Sequence, residues 1–306
     1  MRVTEEMRTG NLLRNITSHS ERLSRLYEKL ATQQEVTRPS DNPVATSSIM
    51  RLDAHLKALG ETTKAIDAAQ GFLDAASDTL ERAGDALARA RTLAVQAANG
   101  TLSASDRSAI AAEVNQILES LVQCANEMHE DRYLFSGTKT DTPPIAVTRD
   151  SDGLIQGFSY QGSDGALAFP LGRSRQIEVS VNGQAAFLDS DVLEAVKSFR
   201  DHLLNDEGLT EEETAAALRD DLSRLTAAQQ DLLHTAGEVG SRVTHLDMIG
   251  EQTDRAITRA TDALSDFRDA DAAQVAFELQ REETILQALL NAAGRIMNVS
   301  LMDYLE

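Results

Sequence analysis

One cysteine, no tryptophan, five prolines and 4% aromatic residues in 306 positions rule out several ways of building and using a fold. With Cys124 alone, no intramolecular disulfide and no cysteine-based zinc site can form. Cys124 sits within an Ile117-Leu118-x-x-Leu121-Val122 helical pattern, as a small buried apolar residue would. Cores poor in large aromatics are built by packing Leu, Ile, Val and Ala between neighbouring helices. No run approaches the roughly 18–20 apolar residues needed to span a bilayer, so no membrane insertion is expected. A charged-then-apolar leader with a small-residue cleavage site is also missing, so export would not use a cleaved general-secretory signal. Nor is there an excess of base: 29 Lys and Arg against 49 Asp and Glu give a net charge of −20. That balance argues against nucleic-acid binding and against adhesion to anionic lipid.

The charge is unevenly placed. Residues 1–41 carry +1 and residues 272–306 carry −3, leaving −18 to the stretch between. The near-neutral ends are where packing against another surface costs least. Both ends also carry seven-residue apolar stripes. From Asn11 to about Gln34, Ile16, Leu23 and Leu30 occupy one stripe position and Leu12 and Leu26 the other, with His19 interrupting. His19 there reads as a polar residue that sets register. From Asp271 onward Val275, Leu279, Leu286, Leu289, Ala293 and Ile296 form a second stripe, broken by Glu282. Each stripe needs a partner. It can be the core of its own domain, or the two can pair as a rod whose remaining apolar surface many copies side by side would bury, at roughly 25 cal/mol per Å².

Between the ends the reading is helical with one interruption. Pro39 and Pro43 cannot sit inside a continuous helix, and Asn42-Pro43 reads as a cap and first helical residue. Val44 to about Asn99 then forms a helix, and Ser103 or Ser105 starts another through Met128, giving a helical hairpin. Pro, Gly and short alternating stretches over residues 143–187 predict a small β insert. In it Gln176–Val181 and Gln184–Leu188 form a hairpin about Asn182-Gly183. Helix resumes near Ser190, apart from an acidic loop over Asn205–Glu213.

Motifs that would carry chemistry are missing. Histidines 19, 55, 129, 202, 234 and 245 are scattered, and His129-Glu130 is followed by Asp, Arg and Tyr rather than by a second His. Asp150-Ser-Asp-Gly153 lacks the remaining acidic positions of a calcium loop. No phosphate-binding glycine loop and no nucleophile elbow occur. These readings predict no catalytic residue, no metal and no cofactor: a non-enzymatic, self-associating helical subunit.

The motifs sharpen this. Ser24 through Arg38-Pro39-Ser40-Asp41-Asn42-Pro43 resembles the amino-terminal motif of the flagellin superfamily, in the form of its hook-associated protein 3 branch. Ala98-Asn-Gly-Thr-Leu-Ser103 with Asp106-Arg107 and Glu113-Val-Asn115 resembles the next shared block. Ala125-Asn126 leading to Tyr133-Leu134-Phe135-Ser136-Gly137-Thr138 is the most discriminating match. Asp269-Ala-Asp271, Leu286-Gln-Ala-Leu289 and Ser300 to Leu305 are similar at the other end. Gln33-Gln34-Glu35 departs from the usual small-residue and basic run.

The resemblance implies a mainly α, flagellin-like fold with paired terminal helices, an elongated helical body and a central β domain. The expected boundaries are 1–42 plus 268–306 for the terminal assembly domain, 43–140 plus 190–267 for the body and 141–189 for the β domain. Assembly would run through Leu12, Ile16, Leu23, Leu26, Leu30, Leu279, Leu286, Leu289 and Ile296. Arg38 to Pro43 would redirect the chain, and Tyr133 to Gly137 would supply apolar anchors where the long helix ends at Gly137. The function implied is that of a structural adaptor between flagellar hook and filament. Its partners would be a ring of copies of itself, the other hook-associated junction protein and flagellin. Export would use the flagellar type III apparatus, with a cytoplasmic chaperone recognising the carboxyl-terminal helix, and the protein would reside extracellularly in the flagellum. A flagellin filament subunit is the alternative within this class. An acidic coiled-coil signalling protein is the alternative outside it, and should lack the insert and the terminal pairing.

Overall fold

The computed structural model describes residues 5–99, 103–172, 176–205 and 208–303. Among the described residues six α-helices carry the chain: α1 (Glu5–Thr32), α2 (Pro43–Asn99), α3 (Ala104–Ala125), α4 (Val192–Leu204), α5 (Glu211–Arg268) and α6 (Ala272–Asp303). Six short strands lie between α3 and α4: β1 (Met128–His129), β2 (Arg132–Tyr133), β3 (Ile145–Arg149), β4 (Ile155–Tyr160), β5 (Ala168–Pro170) and β6 (Gln176–Glu178). They pair antiparallel as β1-β2, β3-β4 and β5-β6, with an irregularity between Thr148 and Arg149. By packing, residues 1–59 with 255–306 form one unit and residues 60–254 another, both boundaries falling inside helices.

The helix starts are encoded locally. Asn42 Oδ1 accepts the Ala45 amide at 3.0 Å and Pro43 opens α2, where its missing amide costs nothing. Ser103 and Asp106 form a reciprocal capping box on α3. Thr210 and Glu213 do the same for α5: the Glu213 amide reaches Thr210 Oγ1 at 3.4 Å and the Thr210 amide reaches Glu213 Oε2 at 2.9 Å. Asp271 Oδ1 accepts the amides of Ala273 and Gln274, starting α6 where the sequence predicts.

In the second unit Leu73, Leu80 and Leu87 of α2 and Leu118 and Leu121 of α3 are fully buried. Arg89 meets Glu113 at 2.7 Å and Arg82 meets Glu127 at 3.3 Å, so α3 returns antiparallel along α2 as the expected hairpin. The insert has no separate core: Ile145, Ile155, Ile177 and Val179 join the same buried cluster as Leu118, Val196 and Phe199.

Three sequence expectations are corrected here. The helix carrying Met128 does not extend towards Gly137; α3 stops at Ala125. Asn126 leaves the helix because its side chain is taken by a neighbouring backbone, its Nδ2 donating to Ile145 O and its Oδ1 accepting the Ile145 amide, both at 2.9 Å. Met128 to Tyr133 then fold as a tight hairpin with Glu130 and Asp131 at φ 47° and 61°. Secondly, Asn182-Gly183 does not make a hairpin turn, because Gly183 has φ −66° and Gln184–Asp189 is a short π-helical turn. Its reason is tertiary, since it buries Ala186 and Phe187 together, and the Phe187 ring meets Phe135 edge-on at 5.1 Å. The strand before it is only Gln176–Glu178, and its partner is β5. Thirdly, the acidic loop is shorter than Asn205–Glu213, because α5 already begins at Glu211.

Candidate assembly site

The two ends of the chain pair with each other. Position 34 bridges 269, and His19 and Arg22 meet Glu282, so the order runs opposite in the two helices and α1 and α6 lie antiparallel. Their connections also join. The Glu35 amide donates to Arg268 O at 2.7 Å and the Ala270 amide to Gln33 O at 2.9 Å, a small clasp between the α1–α2 and α5–α6 links. Gln33 enters it with φ 57°.

Within the pair Leu26 and Val275 are buried, and Leu12, Ile16, Leu23, Leu279, Leu286 and Leu289 are half-buried. Leu30 is exposed, and the side chain of Ile296 lies outside the described residues. Most of the stripes thus face a partner within the same chain. A second set of apolar side chains, Leu13, Tyr27, Phe277 and Leu290, is exposed instead, with Phe277 at 70%. The seven-residue pattern does not single these out, because they stand off the stripe.

The two polar interruptions of the stripes meet. His19 Nδ1 lies 2.6 Å from Glu282 Oε2, and an Arg22 guanidinium nitrogen lies 3.1 Å from Oε1 of the same carboxylate. Glu282 is 8% exposed, and the hydrogen bond from His19, aided by Arg22, holds its carboxyl below the usual range. Glu283, the next residue of α6, accepts a hydrogen bond from Tyr27 Oη at 2.6 Å, which pushes the phenol upward. Sequence reading found His19 and Glu282 separately; Arg22, Tyr27 and Glu283 carry no signal until the helices are paired.

The Arg38–Pro43 segment is an exposed turn held by Asp41, whose Oδ2 accepts the Arg38 amide at 3.0 Å while its own amide returns to Arg38 O at 3.0 Å. Arg38 reaches back to Glu28 of α1 at 3.3 Å. Pro39, Ser40 and Asn42 are exposed, so the side chains of this turn are accessible.

The Tyr133–Gly137 segment does different work. Leu134 and Phe135 are fully buried, and Phe135 O accepts both the Gly183 amide and Tyr160 Oη at 3.0 Å. Ser136 is buried and its carbonyl accepts the Ser163 amide at 3.0 Å. Tyr133 is half-buried. The motif therefore stitches the β insert onto the helical core. Arg200, missed by sequence reading, does the same from α4: fully buried, it donates to Asn115 Oδ1 of α3 at 3.1 Å and to Ile155 O of β4 at 2.6 Å, and pairs with Asp201.

Among the described residues no group of three or more His, Cys, Asp or Glu stands as a metal site. The Asp150 carboxylate is used locally. It accepts Gln156 Nε2 and the Asp152 and Leu154 amides, which hold it below the usual range. Burial pushes the Cys124 thiol up, away from the reactive thiolate. No helix of the described residues is long and apolar enough to cross a membrane.

The family model for the bacterial flagellin N-terminal helical region matches residues 3–140. Flagellar hook-associated protein 3 of Escherichia coli K12 is 24% identical over 329 aligned positions, covering 99% of both chains. The Salmonella typhimurium protein of the same name is 27% identical over 146 positions, 47% of this chain and 46% of its own. Of solved structures, a flagellar hook-associated protein from Vibrio parahaemolyticus superposes with a TM-score of 0.66 at 19% identity, over 75% of this chain and all of its own. The flagellar junction protein FlgL from Legionella pneumophila superposes with 0.59 at 15%, over 72% of this chain and 99% of its own. Those superpositions show the fold, and the similarity to the Escherichia coli protein runs along 99% of both chains. With the motifs at Arg38–Pro43 and Tyr133–Gly137 in place at the turn and the stitch, the chain is similar along its length to flagellar hook-associated protein 3, and over residues 3–140 to the bacterial flagellin N-terminal helical region.

Proposed function

We propose that the chain is a structural adaptor subunit that joins the bacterial flagellar hook to the flagellin filament and assembles through its terminal helices. The observation that carries this is the antiparallel pairing of α1 with α6, from opposite ends of a chain that aligns end to end with a hook-associated protein 3. Pairing the termini leaves Leu13, Phe277 and Leu290 outward on the same two helices, an apolar surface that neighbouring copies would cover. The chain acts by packing, not by catalysis.

In this reading a ring of copies contacts the other hook-associated junction protein on one side and flagellin on the other. The subunit leaves the cell through the flagellar type III apparatus. A cytoplasmic chaperone would cover α6 before export, where Phe277 and Leu290 are exposed. The terminal domain of residues 1–42 plus 268–306, the body and the 141–189 insert are the working divisions of the subunit.

A deletion strain viewed by electron microscopy tests the reading. Complete hooks without filaments, with flagellin shed into the medium, are expected. Normal filaments would overturn it, and hooks bearing no filament but also shedding no flagellin would favour the filament-subunit alternative.

A further inference from the structure

We propose that residues 235–244 of α5 form a hinge in that helix, and that the insert holds the hinge through Arg242. α5 runs for 58 residues without a proline. Two of its glycines, Gly237 and Gly240, are exposed, and a Cβ built on either would meet nothing within 4 Å. Neither has a left-handed backbone. The third, Gly250, differs, since its Cβ would touch Ile66 at 3.8 Å. With no close approach and no special φ to account for Gly237 and Gly240, their effect is on the helix itself: glycine is the weakest helix former after proline.

The neighbouring residues act in the same direction. The hydroxyls of Thr235, Ser241 and Thr244 donate to the carbonyls of Asp231, Glu238 and Gly240 at 3.1, 2.7 and 3.0 Å. Hydroxyls that compete for helical carbonyls weaken and bend a helix, and Gly-Ser pairs are among the few places where a helix without proline kinks. Gly240-Ser241 is such a pair. The opposite face of α5 is unaffected. Leu232, Val239 and Leu246 stay buried at seven-residue spacing, so the exposed side can yield while the apolar seam keeps its contacts.

Arg242 stands directly after the pair, and its Nη1 donates to Ser180 O at 2.9 Å, 62 positions back in the sequence. Ser180 is itself fixed in the insert: it is buried, and its Oγ accepts the Leu167 amide at 2.7 Å. The weak stretch of α5 is therefore tied to the insert at its far side, and the insert sets the angle at which the helix continues. That gives the insert a mechanical role beyond the adaptor reading, on which it rests only for the source of the load, neighbouring copies pressing on the 60–254 unit.

The test is hydrogen exchange of the full chain, comparing amides of residues 235–244 with those of residues 218–230 on the same helix. In wild type the first stretch is expected to exchange about tenfold faster or more. Gly237→Ala and Gly240→Ala fit the open space and should each slow it about fivefold, and together about twentyfold, with no change over 218–230. Arg242→Met keeps the stem and removes the donor. It should speed exchange over 235–244 about fivefold, and that effect should shrink below about twofold in the G237A/G240A background. Equal exchange in the two wild-type stretches, alanine variants that exchange no slower, or an Arg242→Met effect that is missing or spread evenly over 218–230 would each overturn the proposal. In flagellated cells G237A/G240A is expected to leave filaments attached but to slow swimming; attached filaments with wild-type swimming would overturn the use of the hinge under load. The exchange readouts need no flagellum, so they fail or succeed separately from the deletion strain.

Discussion

A Cβ placed on Gly137 would stand 2.1 Å from the carbonyl oxygen of Ser163, and the residue already holds φ +64°. Two independent demands, a left-handed backbone and the absence of a side chain, meet at the end of the Tyr-Leu-Phe-Ser-Gly motif. Gly137→Ala is therefore expected to destabilise the 60–254 unit by about 2 kcal/mol or more, through strain and displacement of the Ser163 segment. Urea denaturation checks it; an unchanged midpoint would show that the insert is not held at this point.

Arg200 offers a second test of how the insert is attached. It is fully buried and serves Asn115, Ile155 O and Asp201. Arg200→Met keeps the stem but leaves three acceptors without their donor, at an expected cost of about 3–5 kcal/mol. Thermal unfolding would read this directly. A loss below 1 kcal/mol, roughly a single exposed pair, would mean that water replaces the guanidinium.

Glu282 gives a pH dependence whose sign follows from its partners. Hydrogen bonding to His19 and Arg22 lowers its folded value below that of the unfolded chain, so the unfolded chain binds more protons across that interval. The resulting stabilisation is present above the ordinary carboxylate range and is lost as pH falls through the lowered folded value. Exchange protection of α1 and α6 should therefore decline on acidification, and less steeply in Glu282→Gln than in wild type. Asp221 works in the opposite sense: burial raises its value despite the bonds from His202 and Ser198, so its contribution diminishes as pH rises. Comparing wild type with the single variant isolates Glu282 from this.

Substitutions on α6 distinguish pairing within the chain from the proposed association between copies. Leu286 is half-buried in the pair, whereas Phe277 is exposed on the same helix. Leu286→Asp and Leu289→Asp are expected to leave the body folded by circular dichroism but to abolish motility. Phe277→Ser should leave exchange protection of α1 and α6 at wild-type level while still reducing motility. Full motility in both classes would count against the terminal pair as the assembly surface.

Much of this was written locally in the chain. The caps at Asn42, Ser103 and Asp271, the proline-bounded turn before α2 and the buried Cys124 depend on groups within a few residues of each other, so the linear pattern suffices to place them. The stripes likewise announced two terminal helices, because an apolar repeat of seven is a property of one helix face. Elsewhere distant residues decided. α3 ends at Ala125 because Ile145 captures the Asn126 side chain, and the segment after Gly183 coils because Phe187 finds Phe135; the Asn-Gly pair alone favours a hairpin. Arg200 reads as a surface base until α3 and β4 close around it. Above all, His19 and Glu282 appear in the sequence as two separate flaws in two separate stripes. Their meaning is set only when the chain's ends meet, since a buried charge is unfavourable alone and specific when paired.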